Sequence, residues 1–193
     1  FDDAAYARDL GVEALFGEPG YSALERTWVR PTLEVNGMWG GFQGEGTKTV
    51  LPAEAHCKIT CRLVPNQHPN AVAEAVRAHI QRHAPVGVTV SVEVSERGVP
   101  AYEIPAEHWG NAAAKRVLTR LYGREPYAVR MGGSVPVCSL FLDTLGAYSV
   151  GLAFGLGDEC VHAPNEFFRL ASYRRAQVAY AMMLHELAKG EGA

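Results

Sequence analysis

From Cys57 to Leu63, and again from Val88 to Val94, an apolar or small side chain recurs at every second position, with one helical pattern between the two runs. This repeat restricts the fold more than any other feature. Side chains along a strand alternate between faces. Cys57, Ile59, Cys61 and Leu63 therefore share one face, and Lys58, Thr60 and Arg62 the other. The two cysteines read as small core residues, and Arg62 points away from that core, positioned to hold a ligand. Between the runs, Val72, Val76 and Ile80 form an apolar stripe to about His83, with Asn70 placed to cap it. Upstream, a helix is expected over residues 1–17 with Gly17 as its stop, a loop over 18–30 and a strand over Thr32–Met38. A glycine-rich turn leads to a strand-like stretch from Thr47 to Val64, with Pro52 marking an edge or a bulge. Helix, strand, strand, helix, strand describes an α+β unit with an antiparallel sheet.

A boundary falls near Gly98–Tyr102. Beyond it the pattern predicts a helix over Ala106–Leu121 and a short strand ending at Arg130. A helix to Leu145, a strand over Ala147–Phe154, a loop to Asn165 and a helix over Glu166–Lys189 follow. Helices alternating with short apolar strands suggest a parallel or mixed α/β sheet. The segment Arg130-Met131-Gly132-Gly133-Ser134-Val135-Pro136 joins a strand to a helix. Its glycines permit close backbone approach, and Pro136 is pre-set for a first helical turn. Ser134 and the helix N-terminus offer donors to an anion. An ordinary strand-to-helix turn has the same composition.

With 193 residues and a net charge of −3, the chain suits one or two globular domains. Neither nucleic acid nor an anionic membrane is implied as a partner, and no apolar run has the length of a membrane span. The four cysteines make neither a CxxC motif nor a disulfide spacing, which suggests the cytoplasm. Three local motifs bear on chemistry. Gly41–Thr49 nearly spells a phosphate-binding loop, but Thr47 intrudes before Lys48 and the loop leads into a strand rather than a helix. His79 and His83 have the i, i+4 spacing of two metal ligands but lack the Glu that follows the first His in zinc proteases. His162 lies in a loop beyond an apolar strand, where open α/β sheets keep their sites, and an imidazole there is a natural metal ligand.

Four segments occur in a telling order: Gly46-Thr47-Lys48-Thr49-Val50-Leu51-Pro52, Lys58–Gln67, Gly132–Pro136 and His162-Ala163-Pro164-Asn165-Glu166. Together they resemble the dinuclear-zinc amidohydrolase family of acetylornithine deacetylase, succinyl-diaminopimelate desuccinylase, carboxypeptidase G and carnosinase. The first two segments look most like its dipeptidase branch.

The resemblance implies a partial ferredoxin-like lid, or dimerisation, domain over residues 1–98. Residues 99–193 would be the C-terminal α/β portion of a zinc-hydrolase catalytic domain. It implies His162 as a metal ligand and Arg62 as the partner of a substrate carboxylate. Gly133 and Ser134 would bind substrate, and Thr49 would reach the active site of the partner subunit. It also implies two divalent ions, zinc first with manganese or cobalt as alternatives, a small peptide or N-acyl amino acid substrate, and a homodimer. The family's HxD motif, bridging Asp, Glu-Glu pair and lid histidine have no counterpart in this sequence, so no catalytic residue is assigned and the isolated chain is expected to be inactive. The expectation is therefore a portion of a metallodipeptidase, or alternatively a non-catalytic dimerising module derived from one. A nucleotide-binding α/β protein is a weaker third.

Overall fold

The computed structural model describes residues 1–95, 98–133 and 135–190. Helix and sheet are mixed along the chain, as the fold class requires. Among the described residues the elements are α1 (Asp3–Leu10), α2 (Ala23–Trp28), β1 (Thr32–Gly40), β2 (Ala55–Arg62), α3 (Pro69–Arg82), α4 (Trp109–Tyr122), α5 (Pro136–Leu145) and α6 (Leu170–Leu187). Two compact units are present. Phe1–Tyr102 with Arg130–Ser139 makes the first, and Glu103–Val129 with the chain from Leu140 onward makes the second.

In the first unit, α1 is capped by the Asp2 carboxylate, which accepts from the Ala5 N–H at 2.9 Å. The helix ends at Gly11, in the left-handed region at φ 70°, and not at Gly17 as expected. A glycine there satisfies the last carbonyls, so its position sets the helix length. The stretch expected to be loop contains α2. Its start is a capping box: Ser22 Oγ accepts from the Glu25 N–H, and the Glu25 carboxylate accepts from the Ser22 N–H at 2.8 Å.

Strands β1 and β2 pair antiparallel from Thr32 opposite Arg62 to Gly40 opposite Ala55, with a bulge between Val35 and Gly37. Trp39 stacks on its cross-strand partner His56 with ring centroids 4.9 Å apart. At the closing pair, a Cβ on Gly40 would lie 2.7 Å from the Glu54 carbonyl oxygen, so glycine is required. Strand β2 begins at Ala55 rather than Thr47, because the ladder ends with Gly40 and the chain then turns through Gly41 at φ 65°. Ile59 and Cys61 are half-buried while Cys57 is exposed, which corrects the assignment of both cysteines to the core. Helix α3 starts at Pro69 after His68, so Asn70 lies inside the helix rather than capping it.

The run Val88–Val94 joins no ladder among the described residues. Alternation specifies a face; a strand also needs a hydrogen-bonded neighbour.

In the second unit, α4 packs on α6 through Ala113, Ala114, Val117, Ala179 and Met183, with Leu152 and Phe154 completing the core. Ala113 and Ala179 are fully buried, and their small side chains let the helices approach closely. The Tyr180 hydroxyl donates to the Leu152 carbonyl at 2.7 Å. That bond ties the segment 147–154 to α6, although the segment pairs with no strand among the described residues. Helix α4 begins at Trp109, later than expected, where His108 Nδ1 accepts from the Gly110 N–H at 3.1 Å. Helix α6 begins at Leu170 rather than Glu166, because the Phe167 N–H is already bonded to the Glu159 carbonyl at 3.2 Å.

Candidate functional site

Arg62 closes β2 opposite Thr32 and is exposed. It lines a shallow cavity of about 230 Å³ with Thr32, Leu33, Gln67, Val72 and Val76. A guanidinium at the rim of an apolar hollow can pair with a carboxylate through two parallel hydrogen bonds while the hollow takes an apolar group. Beside it, burial pushes the Cys61 thiol pKa up, which keeps that group neutral. The segment after Arg62 is held by turn chemistry. The Gln67 N–H donates to the Val64 carbonyl at 3.1 Å, Pro65 precedes Asn66 at φ 70°, and the Gln67 side chain accepts from the Val64 N–H at 3.1 Å. Proline followed by a left-handed Asn is the signature of a type II turn. Pro65, Asn66 and Gln67 thus have a structural role: they fix how the chain leaves Arg62.

Thr49 is exposed in the loop joining Gly40 to Ala55. That loop packs on itself, with Lys48 Nζ 5.9 Å from the Phe42 ring centroid. The loop leaves the opposite end of the ladder from Arg62, seven strand steps or about 24 Å away.

In the turn before α5, Gly132 and Gly133 are exposed. A Cβ built on Gly132 would overlap the Thr27 carbonyl oxygen at the end of α2, whereas one on Gly133 would make ordinary contact with Met131 Cε at 3.5 Å. Gly132 is therefore needed for packing and Gly133 is the more open of the two. Ser134 lies outside the described residues. Pro136 opens α5 as expected, and Ser139 one turn later donates its Oγ to the Pro100 carbonyl at 3.0 Å. At the end of α3, His83 Nδ1 donates to the His79 carbonyl at 2.8 Å, so this ring nitrogen caps the helix.

His162 is exposed in a loop of unusual backbone. Cys160, His162 and Asn165 all have left-handed φ, at 53°, 63° and 65°. For residues with a Cβ this conformation costs about 1 kcal/mol or more each, so surrounding contacts must hold it. The His162 N–H donates to Glu166 Oε2 at 3.3 Å. The stronger anchor is Glu159, only 1% exposed. Its carboxylate accepts from the Leu156 N–H at 2.8 Å, the Arg169 N–H at 3.1 Å and the Arg169 guanidinium at 3.0 Å. Arg169 also donates to Asp158 through Nη1 and Nη2, at 2.9 and 2.6 Å. The Leu156 N–H first, and then Arg169, hold the Glu159 carboxyl below its ordinary pKa, so it is charged at neutral pH. Glu159 and Arg169 were not apparent from the sequence: ten positions separate them, and no spacing rule joins a loop carboxylate to the residue before a helix.

A metal centre needs three or four converging ligands. Among the described residues no three His, Cys, Asp or Glu side chains are grouped to hold an ion. The donors present do not amount to such a centre, and His162 could supply one ligand of it.

Residues 4–88 match the peptidase dimerisation domain. The chain is 31% identical to the Cys-Gly metallodipeptidase dug1 of Schizosaccharomyces pombe, over 86% of this chain and 35% of that protein. It is 26% identical to the human Beta-Ala-His dipeptidase, over 95% of this chain and 37% of that one. In structure it resembles an M20 family metallo-carboxypeptidase from Sulfolobus solfataricus, with a TM-score of 0.78 and 27% identity over 95% of this chain and 42% of that one. Human carnosine dipeptidase 1 gives a TM-score of 0.74 and 26% identity, over 98% and 40%. The chain thus spans between a third and about two fifths of the length of these relatives.

Proposed function

We propose, from the match of residues 4–88 to the peptidase dimerisation domain and the likeness to metallodipeptidases, that the chain is the lid and C-terminal portion of a metal-dependent dipeptidase or N-acyl amino acid hydrolase. One observation supports this reading over a bare dimerising module: the likeness continues past residue 88 and covers up to 98% of the chain. In the intact protein, residues 1–98 form the lid and residues 99–193 the end of the catalytic domain. His162 contributes one ligand to a pair of divalent ions, zinc before manganese or cobalt. Such ions generate hydroxide at neutral pH and polarise a scissile carbonyl. The other ligands and the general base come from the portion of the relatives this chain does not span.

Arg62 takes the free carboxylate of the substrate, and Gly133 and Ser134 bind it with backbone and hydroxyl groups. Thr49 acts in the site of the partner subunit of a homodimer. Support for that assignment is geometric, since Thr49 and Arg62 belong to opposite ends of one hairpin. We place the protein in the cytoplasm on the strength of its four unpaired cysteines; no described helix is long and apolar enough to cross a membrane.

The test is zinc titration and dipeptide hydrolysis by the full-length protein. Two ions per subunit and hydrolysis are expected, with His162→Ala lowering metal occupancy. A full-length protein that neither binds zinc nor cleaves dipeptides would leave the dimerising module as the answer.

A further inference from the structure

The loop Leu156–Arg169 combines two facts that belong together. It holds three non-glycine residues in the left-handed region, and it closes on a buried carboxylate. Glu159 receives hydrogen bonds from both ends of the loop, Leu156 at one and Arg169 at the other, and its own carbonyl accepts from Phe167. Arg169 stands immediately before α6, so the loop is fixed to the start of the helix that forms the core of this unit. The guanidinium adds a second carboxylate, Asp158, and lies over the Phe167 ring at 5.0 Å.

We propose that the Glu159–Arg169 pair is a positioning clamp that holds this loop in its left-handed conformation and thereby sets the direction of His162. Glu159 and Arg169 act through the backbone, by removing the alternatives open to residues 160–166. The significance for catalysis rests on the reading of His162 as a metal ligand; the clamp itself does not.

The experiment uses Glu159→Gln in the full-length protein, which keeps the shape and removes the charge. Backbone hydrogen exchange is followed by residue, and zinc affinity is measured alongside. The clamp predicts that amides from Cys160 to Phe167 exchange at least about tenfold faster, while the amides of Val117 and Ala179 in the helical core stay unchanged. Zinc affinity is expected to fall roughly 10–100-fold, as when groups that orient a ligand are lost. Unchanged loop exchange overturns the proposal. So does an equal acceleration in loop and core, which would make the pair a general stabiliser. Faster loop exchange with undiminished zinc affinity supports the clamp and removes His162 from the metal site instead. Should Glu159→Gln fail to fold, Arg169→Lys retains the charge but loses the forked geometry. The same selective loop opening is expected of it, and its absence counts equally against the clamp.

Discussion

The backbone of Gly132 rests against the carbonyl of Thr27 with no room for a side chain. Two segments 105 positions apart in the chain are thereby docked, the end of α2 and the turn before α5. The glycine pair before Pro136 has both an inward-facing member and an open one.

Gly132→Ala should force these segments apart and destabilise the first unit by about 1–3 kcal/mol, as overpacking does. Gly133→Ala should do much less. Urea denaturation of both variants checks this. A Gly132→Ala protein within about 0.5 kcal/mol of the parent would show that the contact yields like an unconstrained surface.

Tyr180→Phe removes the hydroxyl that bonds the Leu152 carbonyl and keeps the ring that meets Phe154 edge-on at 6.2 Å. A loss of about 1 kcal/mol is expected. No change in denaturation midpoint would mean that the segment 147–154 is held by apolar burial alone.

For the intact protein, Arg62→Ala should lower kcat/KM about 10–100-fold on substrates with a free carboxylate, the worth of a charge-assisted hydrogen bond. Arg62→Lys should recover only part, because an ammonium lacks the planar fork. An equal loss on the amidated substrate would remove Arg62 from carboxylate recognition.

Lys189 first, and then Arg116, hold the Glu186 carboxyl below its ordinary value of 4.5. The Arg116 contact, at 2.9 Å, joins the end of α6 to α4, while the Lys189 contact, at 2.6 Å, stays local to the end of α6. A lowered folded-state pKa means that the stabilisation is complete above 4.5 and is lost as pH falls through the folded value. Glu186→Gln should therefore weaken the protein at pH 7 and match the parent well below pH 4. A difference that persists undiminished in acid would show that the carboxylate charge is not its source.

Much of this architecture could be read along the chain wherever the determinant is local. Gly123 and Pro136 mark helix ends because their backbone preferences act within one turn. The extended stretches at Thr32–Val35 and Ile59–Arg62 are marked by their alternation. The four ordered segments carried the family resemblance. What failed was whatever required a partner. Val88–Val94 has strand alternation without a strand beside it. Cys57 shares a face with Ile59 and Cys61 but is exposed, since alternation assigns a face and not its cover. Helix α2 was legible in principle, as Ser22 and Glu25 spell a capping box. Among site residues, His162 was placed in a loop, but its left-handed backbone and the buried Glu159 beside it arise only from three-dimensional closure.

The first unit is built from two stretches of chain, and the second stretch ends at Ser139. During synthesis it cannot be completed when Tyr102 leaves the ribosome. It must wait for residues 130–139, after the whole of α4 has been made. At ordinary elongation rates the 27 residues between Tyr102 and Arg130 take roughly 1–5 s. For that interval the end of α2 lacks the turn that docks on it, and a helix belonging to the other unit is already able to form.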